Sequence, residues 1–331
     1  MFLKNAWYLA AWSHEVPPGK PLGRKILDQA VVFYRTKEGD AAALEDRCPH
    51  RFAALSLGIV AEGRLRCAYH GLEFDSTGAC AANPHGPIPK AAKVRGFPLL
   101  ERWGALWIWV GEPSLAQEDK LPDLAPYLAE TDGKRVSHDY YHVRANYQLL
   151  NDNILDLSHI EYLHPGSFGT PAVGAGSVTV TREDLLVRSR RVIPNDPLTP
   201  LIARHMGGEG KLFERTLDVA WHAPSILTLD IDIRPAEDPG AVLFSAPGVH
   251  IFTPETAATT HYFMSGRLFG DPDRREDVFD PISAEDIPML ESQQERLGDV
   301  DFWDMGPALL SVDKAGVWAR RTLQQMIEAE G

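Results

Sequence analysis

Four side chains in the first part of the chain have the types and spacing to hold iron and sulfide. Cys48-Pro49-His50 places a thiol and an imidazole two residues apart. After sixteen residues, Arg51 to Arg66, Cys67-Ala68-Tyr69-His70 supplies a second mixed pair. Two thiolates and two imidazoles suit a [2Fe–2S] cluster in which histidines replace cysteines on one iron. The thiolates hold the iron that stays ferric. Neutral imidazoles put less negative charge on the other, which takes an electron more readily, at roughly −150 to +300 mV. Zinc is the rival, but zinc fingers pair like with like, whereas each pair here mixes Cys and His. Four unconnected residues would need a coincidence at four positions. Gly71 suits a tight turn beside the second pair. Cys80, the third cysteine, falls outside the pattern and reads as an ordinary thiol.

A second group lies between Asn151 and Pro165. Asn153, Asp156 and His159 fall at i, i+3 and i+6, on one face of an expected helix. His164 follows five residues after His159, about 140° further round a regular helix. For both to bind one metal, the helix must break or unwind between them, and Pro165-Gly166 supports a local end. Two histidines and one carboxylate make the facial triad of oxygen-activating Fe(II) enzymes. The candidate acids are Asp152, Asp156, Glu161 and a remote one. In Glu285-Asp286-Ile287-Pro288, Asp286 is preferred and Glu285 is its rival. The plain alternative is a pair of helix-end histidines. An iron–sulfur cluster elsewhere in the chain, which needs somewhere to send its electron, argues against it.

The elements that must position these groups form two expected domains, 1–115 and 116–331. The first is rich in Gly, Pro and short β-prone runs: Arg24–Leu27, Ala30–Tyr34, Ala43–Glu45 and Trp103–Val110. Residues 112–126, polar and containing Pro113, Pro122 and Pro126, read as the linker. In the second domain a strand from Val136 to Arg144 precedes a helix from Asn146 to Ile160. Strands are expected at Ser177–Arg182, Leu185–Val192, Leu212–Ala220, Ile226–Ile233, Val249–Phe252 and Thr259–Phe269, with Pro254-Glu255-Thr256 as a hairpin connection. Two helices close the chain, Ser283 (as N-cap) to Gln294 and Lys314 to Ala329. The fold class is α+β: an all-β domain followed by an antiparallel sheet with helices packed on it.

The chain has 331 residues, 44% hydrophobic and 24% charged, as soluble globular proteins have. A net charge of −13 repels phosphate backbones, so no nucleic-acid partner is expected, though a basic protein could be steered in. No apolar run approaches the ~18 residues that span a bilayer. The apolar Met1–Trp12 lacks a cleavage site and meets Glu15, so it reads as a first strand and the expected location is the cytoplasm. No Gly-x-Gly-x-x-Gly follows a strand, so NAD or flavin belongs to another protein.

With these residues in view, the sequence resembles the Rieske non-haem iron oxygenases, and among them the vanillate O-demethylase oxygenase subunits and dicamba monooxygenase. The resemblance is carried by Asn5-Ala6-Trp7-Tyr8, the two Cys/His pairs, Asn153-x-x-Asp156-x-x-His159-x4-His164, Thr253-Pro254-Glu255-Thr256, Glu285-Asp286 and Ala319-Arg320-Arg321. It implies a Rieske [2Fe–2S] cluster on Cys48, His50, Cys67 and His70, and a mononuclear Fe(II) on His159, His164 and Asp286. Asn153 would sit near that iron. Asp156 would hydrogen-bond His159 and reach His70 of a neighbouring subunit in a head-to-tail homotrimer, because the two metals of one chain are too far apart. The resemblance also implies a helix-grip catalytic domain and a separate NAD(P)H-dependent flavin and ferredoxin-type reductase. The implied reaction is O2-dependent hydroxylation of a methyl substituent on a small aromatic substrate, foremost O-demethylation of an aryl methyl ether with release of formaldehyde. Aryl-methyl hydroxylation and ring cis-dihydroxylation are the alternatives, and a pure electron carrier the remote one. Candidate substrate contacts are His250, Asp232 and Phe279, with Phe244 beside them.

Overall fold

Short strands joined by tight turns build the N-terminal part. The computed structural model describes residues 1–130, 136–205, 208, 210–266 and 280–330. They fall into two units: Met1–Asp123 with Thr253–Ala257 and Glu330, and Leu124–Phe252 with Ala258–Ala329. Among the described residues, no helix is long and apolar enough to cross a membrane.

The first unit holds β1 (Trp7–Trp12), β2 (Leu22–Ile26), β3 (Gln29–Arg35), β4 (Ala41–Glu45), β5 (Ile59–Ala61), β6 (Arg64–Arg66), β7 (Glu73–Phe74), β8 (Cys80–Ala82), β9 (Leu99–Arg102) and β10 (Ala105–Trp109). They make three antiparallel sheets, β2-β3-β4, β5-β6-β7-β8 and β1-β10-β9. Leu27 and Asp28 turn β2 into β3, both with positive φ, as a two-residue hairpin of matching twist requires. Their N–H groups donate to the carbonyls of Pro254 (2.9 Å) and Glu255 (3.0 Å), and the Thr253 hydroxyl donates to Leu9 O (2.7 Å). These bonds tie Thr253–Ala257 to the first unit. Cys48 and Cys67 belong to its core, with Val32, Leu44, Leu65 and Phe74.

The second unit contains α1 (Ala125–Leu128), β11 (Asp139–Val143), α2 (Tyr147–Leu155), α3 (Ile160–Leu163), β12 (Ser177–Glu183), β13 (Leu186–Asp196), α4 (Pro200–His205), β14 (Phe213–His222), β15 (Ile226–Pro235), β16 (Phe244–Thr256), β17 (Thr259–Gly266), α5 (Ile287–Leu297) and α6 (Lys314–Glu330). Its strands form one antiparallel sheet, β11-β17-β16-β15-β14-β13-β12, and α2 packs on β14 and α5. The fold is α+β: an all-β unit and a helix-and-antiparallel-sheet unit of the helix-grip kind.

Three local expectations change. The helix expected from Asn146 to Ile160 stops at Leu155. Asp156 (φ −116°, ψ 95°) interrupts it, a 3-10 turn spans Leu157–His159, and α3 follows. The chain thus breaks once before His159 and ends its helix again at Leu163, between His159 and His164, with His164 (φ −113°, ψ 43°) already outside α3. Asp156 causes the first break by capping the next turn, accepting from Ser158 N (2.9 Å) and Ser158 Oγ (2.8 Å). Pro254 to Thr256 lie within β16, and the chain turns at Ala257-Ala258. The final helical region opens with a π turn, Ile282–Asp286, capped by Asp280 and not Ser283. Asp280 Oδ1 accepts from the N–H groups of Ile282 and Ser283 at 3.1 and 3.3 Å. The strand expected at Thr259–Phe269 is present through Gly266, and Arg267 to Phe269 lie outside the described residues.

Candidate metal centres

Cys48 and Cys67 open two loops that share one hydrogen-bond pattern. In the first, Cys48 N–H donates to Ala53 O (2.8 Å) and Phe52 N–H to Cys48 O (2.9 Å); in the second, Cys67 N–H donates to Leu72 O (2.9 Å) and Gly71 N–H to Cys67 O (3.0 Å). The residue four beyond each cysteine has positive φ, 59° at Phe52 and 75° at Gly71. Glycine adopts this without steric penalty. Phe52 is held there because both ends of its loop are pinned. Each loop buries its sulfur, with both cysteines 2% exposed. The His50 and His70 rings lie 4.4 Å apart, centre to centre, at 68°.

The donor set fits a cluster. Cys48 and Cys67 are free thiols, not a disulfide. Burial pushes the Cys48 thiol up; backbone N–H groups at His50 and Arg51 work against this, and Cys67 adds to it. A metal relieves such a pair by taking both as thiolates. His70 is pushed down by loss of solvation and then by His50, Arg51 and His85, which favours the neutral imidazole a metal needs. Cys80 instead donates to Ala82 O at 3.3 Å.

The second centre gathers groups from two stretches far apart in sequence. His159, His164 and Asp286 each offer an atom within 4.8 Å of the others. Asp286 Oδ1 lies 3.6 Å from His159 Nε2, and its Oδ2 lies 3.3 Å from His164 Nε2. Each Nδ1 has its own acceptor: Asp156 O at 2.7 Å from His159, and Glu285 Oε2 at 2.6 Å from His164. The network assigns the ring protons to Nδ1, leaving both Nε2 lone pairs facing the Asp286 carboxylate. That is the two-histidine, one-carboxylate donor set of non-haem Fe(II). Burial pushes His159 down, against Asp286. At His164 burial also acts downward, but Asp286 and Glu285 outweigh it and the group rises. Asp286 and Glu285 thus favour positive charge beside His164, which a cation satisfies.

Asn153 reaches this centre from α2, donating from Nδ2 to Asp286 Oδ1 at 3.1 Å. Asp156 touches His159 through its main-chain carbonyl, not its carboxylate. The carboxylate caps Ser158 and lies 3.8 Å from the buried Arg191 guanidinium. Glu285 stays outside the three-residue cluster. Asp152 binds Arg320 at 2.6 Å. His250 is buried, its Nδ1 2.6 Å from the Tyr262 hydroxyl. Cross-strand partners Trp221, Leu227 and His250 share one sheet face, while Thr216, Asp232 and Ser245 share the other. Asp232 thus points away from His250 and pairs with Arg234 at 2.8 Å. Phe244 packs with Leu198, Ala203, Phe213 and Ile233. Phe279 lies outside the described residues.

Sequence reasoning missed a supporting layer. Ser167 Oγ donates to Glu285 Oε2 (3.1 Å), and Thr199 Oγ1 to Ser167 O (2.8 Å). Arg215 donates to Phe168 O (2.8 Å) and pairs with Asp196 (2.8 Å), both side chains almost wholly buried. The only sequence signal was an Arg or Asp set among the apolar residues of a strand pattern.

A mixed Cys/His cluster cradle and a two-histidine, one-carboxylate iron site in one chain define the Rieske oxygenase class. Residues 6–97 match the Rieske [2Fe-2S] domain, and residues 143–329 match the vanillate O-demethylase oxygenase C-terminal domain. The dicamba O-demethylase oxygenase component of Stenotrophomonas maltophilia is 37% identical, with 99% of each chain covered. The chloroacetanilide N-alkylformylase oxygenase component of Rhizorhabdus wittichii is 33% identical, over 100% of this chain and 97% of that one. A crystal structure of dicamba monooxygenase bound to 3,6-dichlorosalicylic acid superposes with a TM-score of 0.89 at 37% identity, covering 99% and 98% of the chains. The chain belongs to the Rieske non-haem iron oxygenases, in the family of the vanillate O-demethylase oxygenase subunits. It is the oxygenase component of a multi-component oxidoreductase, with a [2Fe–2S] Rieske cluster and a mononuclear iron as cofactors.

Proposed function

We propose that this protein carries out oxidative O-demethylation of an aryl methyl ether, drawing electrons from a separate NAD(P)H-dependent flavin and ferredoxin-type reductase. The observation that carries the reading is the convergence of His159, His164 and Asp286, with the buried His250 close enough to feel the Asp286 charge. Cys48, His50, Cys67 and His70 would hold the cluster, and His159, His164 and Asp286 the iron. When bound, the cluster relays electrons and the iron activates O2 for insertion into a C–H bond.

The chain's own residues then do the following. Asn153 donates to Asp286 Oδ1 and orients that carboxylate. Leu227, Phe252 and Trp221, fully buried on the same sheet face as His250, keep its surroundings dry. Burial pushes His250 down to about 4, so it is neutral. Its Nδ1 is engaged by the Tyr262 hydroxyl at 2.6 Å, so its Nε2 is the ring nitrogen left to meet a polar group of the substrate. One O2, two electrons and two protons convert Ar–O–CH3 into Ar–O–CH2OH and water, and the hemiacetal collapses to the phenol and formaldehyde. Asp156 keeps 23% of its side chain exposed, which supports a bridging role toward His70 of a neighbouring copy in a cytoplasmic homotrimer.

The test is turnover with a family reductase and a panel of aryl methyl ethers. Formaldehyde should appear one for one with substrate consumed. A product that keeps the carbon, or a cis-dihydrodiol, would replace this reading with methyl hydroxylation or ring dihydroxylation.

A further inference from the structure

We infer that Glu285, held by Ser167, is a positioning residue for the mononuclear iron, fixing His164 in its metal-binding tautomer without ligating the metal itself. The inference rests on reading His159, His164 and Asp286 as the iron ligands. Glu285 and Asp286 are consecutive, yet they approach opposite nitrogens of one imidazole. Glu285 Oε2 is 2.6 Å from Nδ1 of His164, and Asp286 Oδ2 is 3.3 Å from its Nε2. The π turn Ile282–Asp286 makes this possible, because its wider turn reduces the angle between successive side chains relative to an α-helix.

Glu285 is itself held in place. Its Oε2 accepts from Ser167 Oγ at 3.1 Å, and Ser167 is 5% exposed. The Ser167 carbonyl is tied in turn by Thr199 at 2.8 Å. The Gly169 N–H closes the loop onto His164 O at 2.8 Å. The carboxylate is thus anchored on the side of the ring away from Asp286. A carboxylate that accepts the Nδ1–H keeps the Nε2 lone pair free and makes it more basic. At His159 the same task falls to a main-chain carbonyl, Asp156 O, which no substitution can neutralise. His164 is therefore the ligand whose metal affinity depends on a replaceable side chain.

The experiment uses full-length protein stripped of mononuclear iron with a chelator that leaves the cluster intact. Fe(II) is titrated back against a chromogenic competitor for the wild type, Glu285→Gln, Ser167→Ala and Asp286→Asn. Glu285→Gln should bind iron ~10–100-fold more weakly, with unchanged stoichiometry and cluster absorbance, and saturating Fe(II) should restore its turnover. Ser167→Ala should shift affinity the same way by a smaller factor. Unchanged affinity in both variants overturns the inference. So does a loss in Glu285→Gln as complete as in Asp286→Asn, which would make Glu285 a ligand. If Asp286→Asn binds iron as the wild type does, the underlying iron-site reading fails instead.

Discussion

Replacing Arg215 by Met should unsettle the loop behind His164 and, with it, the iron site. Arg215 and Asp196 form an ion pair at 2.8 Å with side chains 3% and 0% exposed. Burial pushes the guanidinium down while Asp196 holds it up. In the variant, Asp196 Oδ1 keeps the Thr170 hydroxyl (2.7 Å) and Leu198 N–H (3.0 Å), but Oδ2 loses its cation, and Phe168 O loses its donor. Leaving one charge of a buried pair uncompensated costs ~3–5 kcal/mol. For a unit of this size that lowers Tm by ~6–20 °C, at ~2–4 °C per kcal/mol. Removing both charges in Arg215→Met/Asp196→Asn should recover much of the loss, because the Asn oxygen keeps the Thr170 and Leu198 bonds while no unpaired charge stays buried. Thermal unfolding followed by far-UV circular dichroism, with cluster absorbance as a separate signal for the first unit, measures this. A single variant within ~1 kcal/mol of wild type, or a double variant no better than the single, would refute the reasoning.

Three further outcomes follow from the same geometry. His250 is held down to about 4 by burial, against ~6.5 unfolded, so the unfolded chain takes up a proton that the fold refuses. Its contribution is present above the unfolded value and lost as pH falls toward the folded one. His250→Asn should therefore lose ~2 kcal/mol less stability than wild type between about pH 7 and 5 in urea titrations. Gly169→Ala would put a Cβ 2.1 Å from Ile160 O and 2.8 Å from His164 O, so it should destabilise by ~1–3 kcal/mol and lower bound iron, by calorimetry and metal analysis. Asp232→Asn, on the face away from His250, should leave KM and kcat unchanged in steady-state turnover.

The candidate cluster residues could be picked from the sequence because each pair is local: residue type and a one- or two-residue gap carry the chemistry. The α+β order was legible for the same reason, since β2 to β4 and β12 to β15 announce themselves by β-branched runs and turn residues. The helix end between His159 and His164 is legible from Pro165-Gly166, but the earlier break at Asp156 is not, because the 3.6-residue period says nothing about Asp156 preferring to cap Ser158. Pro254 was read as a turn, but in β16 its carbonyl is the useful group, accepting from Leu27. Asp232 and His250 lie on opposite faces of the sheet, and alternation within one strand does not show how two strands are registered. Ser167 and Thr199 give no signal and Arg215 only a faint one, because their roles arise when the loop after α3, the segment between β13 and α4, β14 and the π turn meet.

The most direct test of the account is metal and sulfide content before and after removing one side chain. Anaerobically purified protein should hold about three irons and about two acid-labile sulfides per chain. His159→Ala should lose one iron, keep both sulfides, and retain the visible and low-temperature magnetic resonance spectra of the reduced cluster. Loss of sulfide together with that iron, or no loss of iron at all, would contradict two separate centres built from these seven side chains.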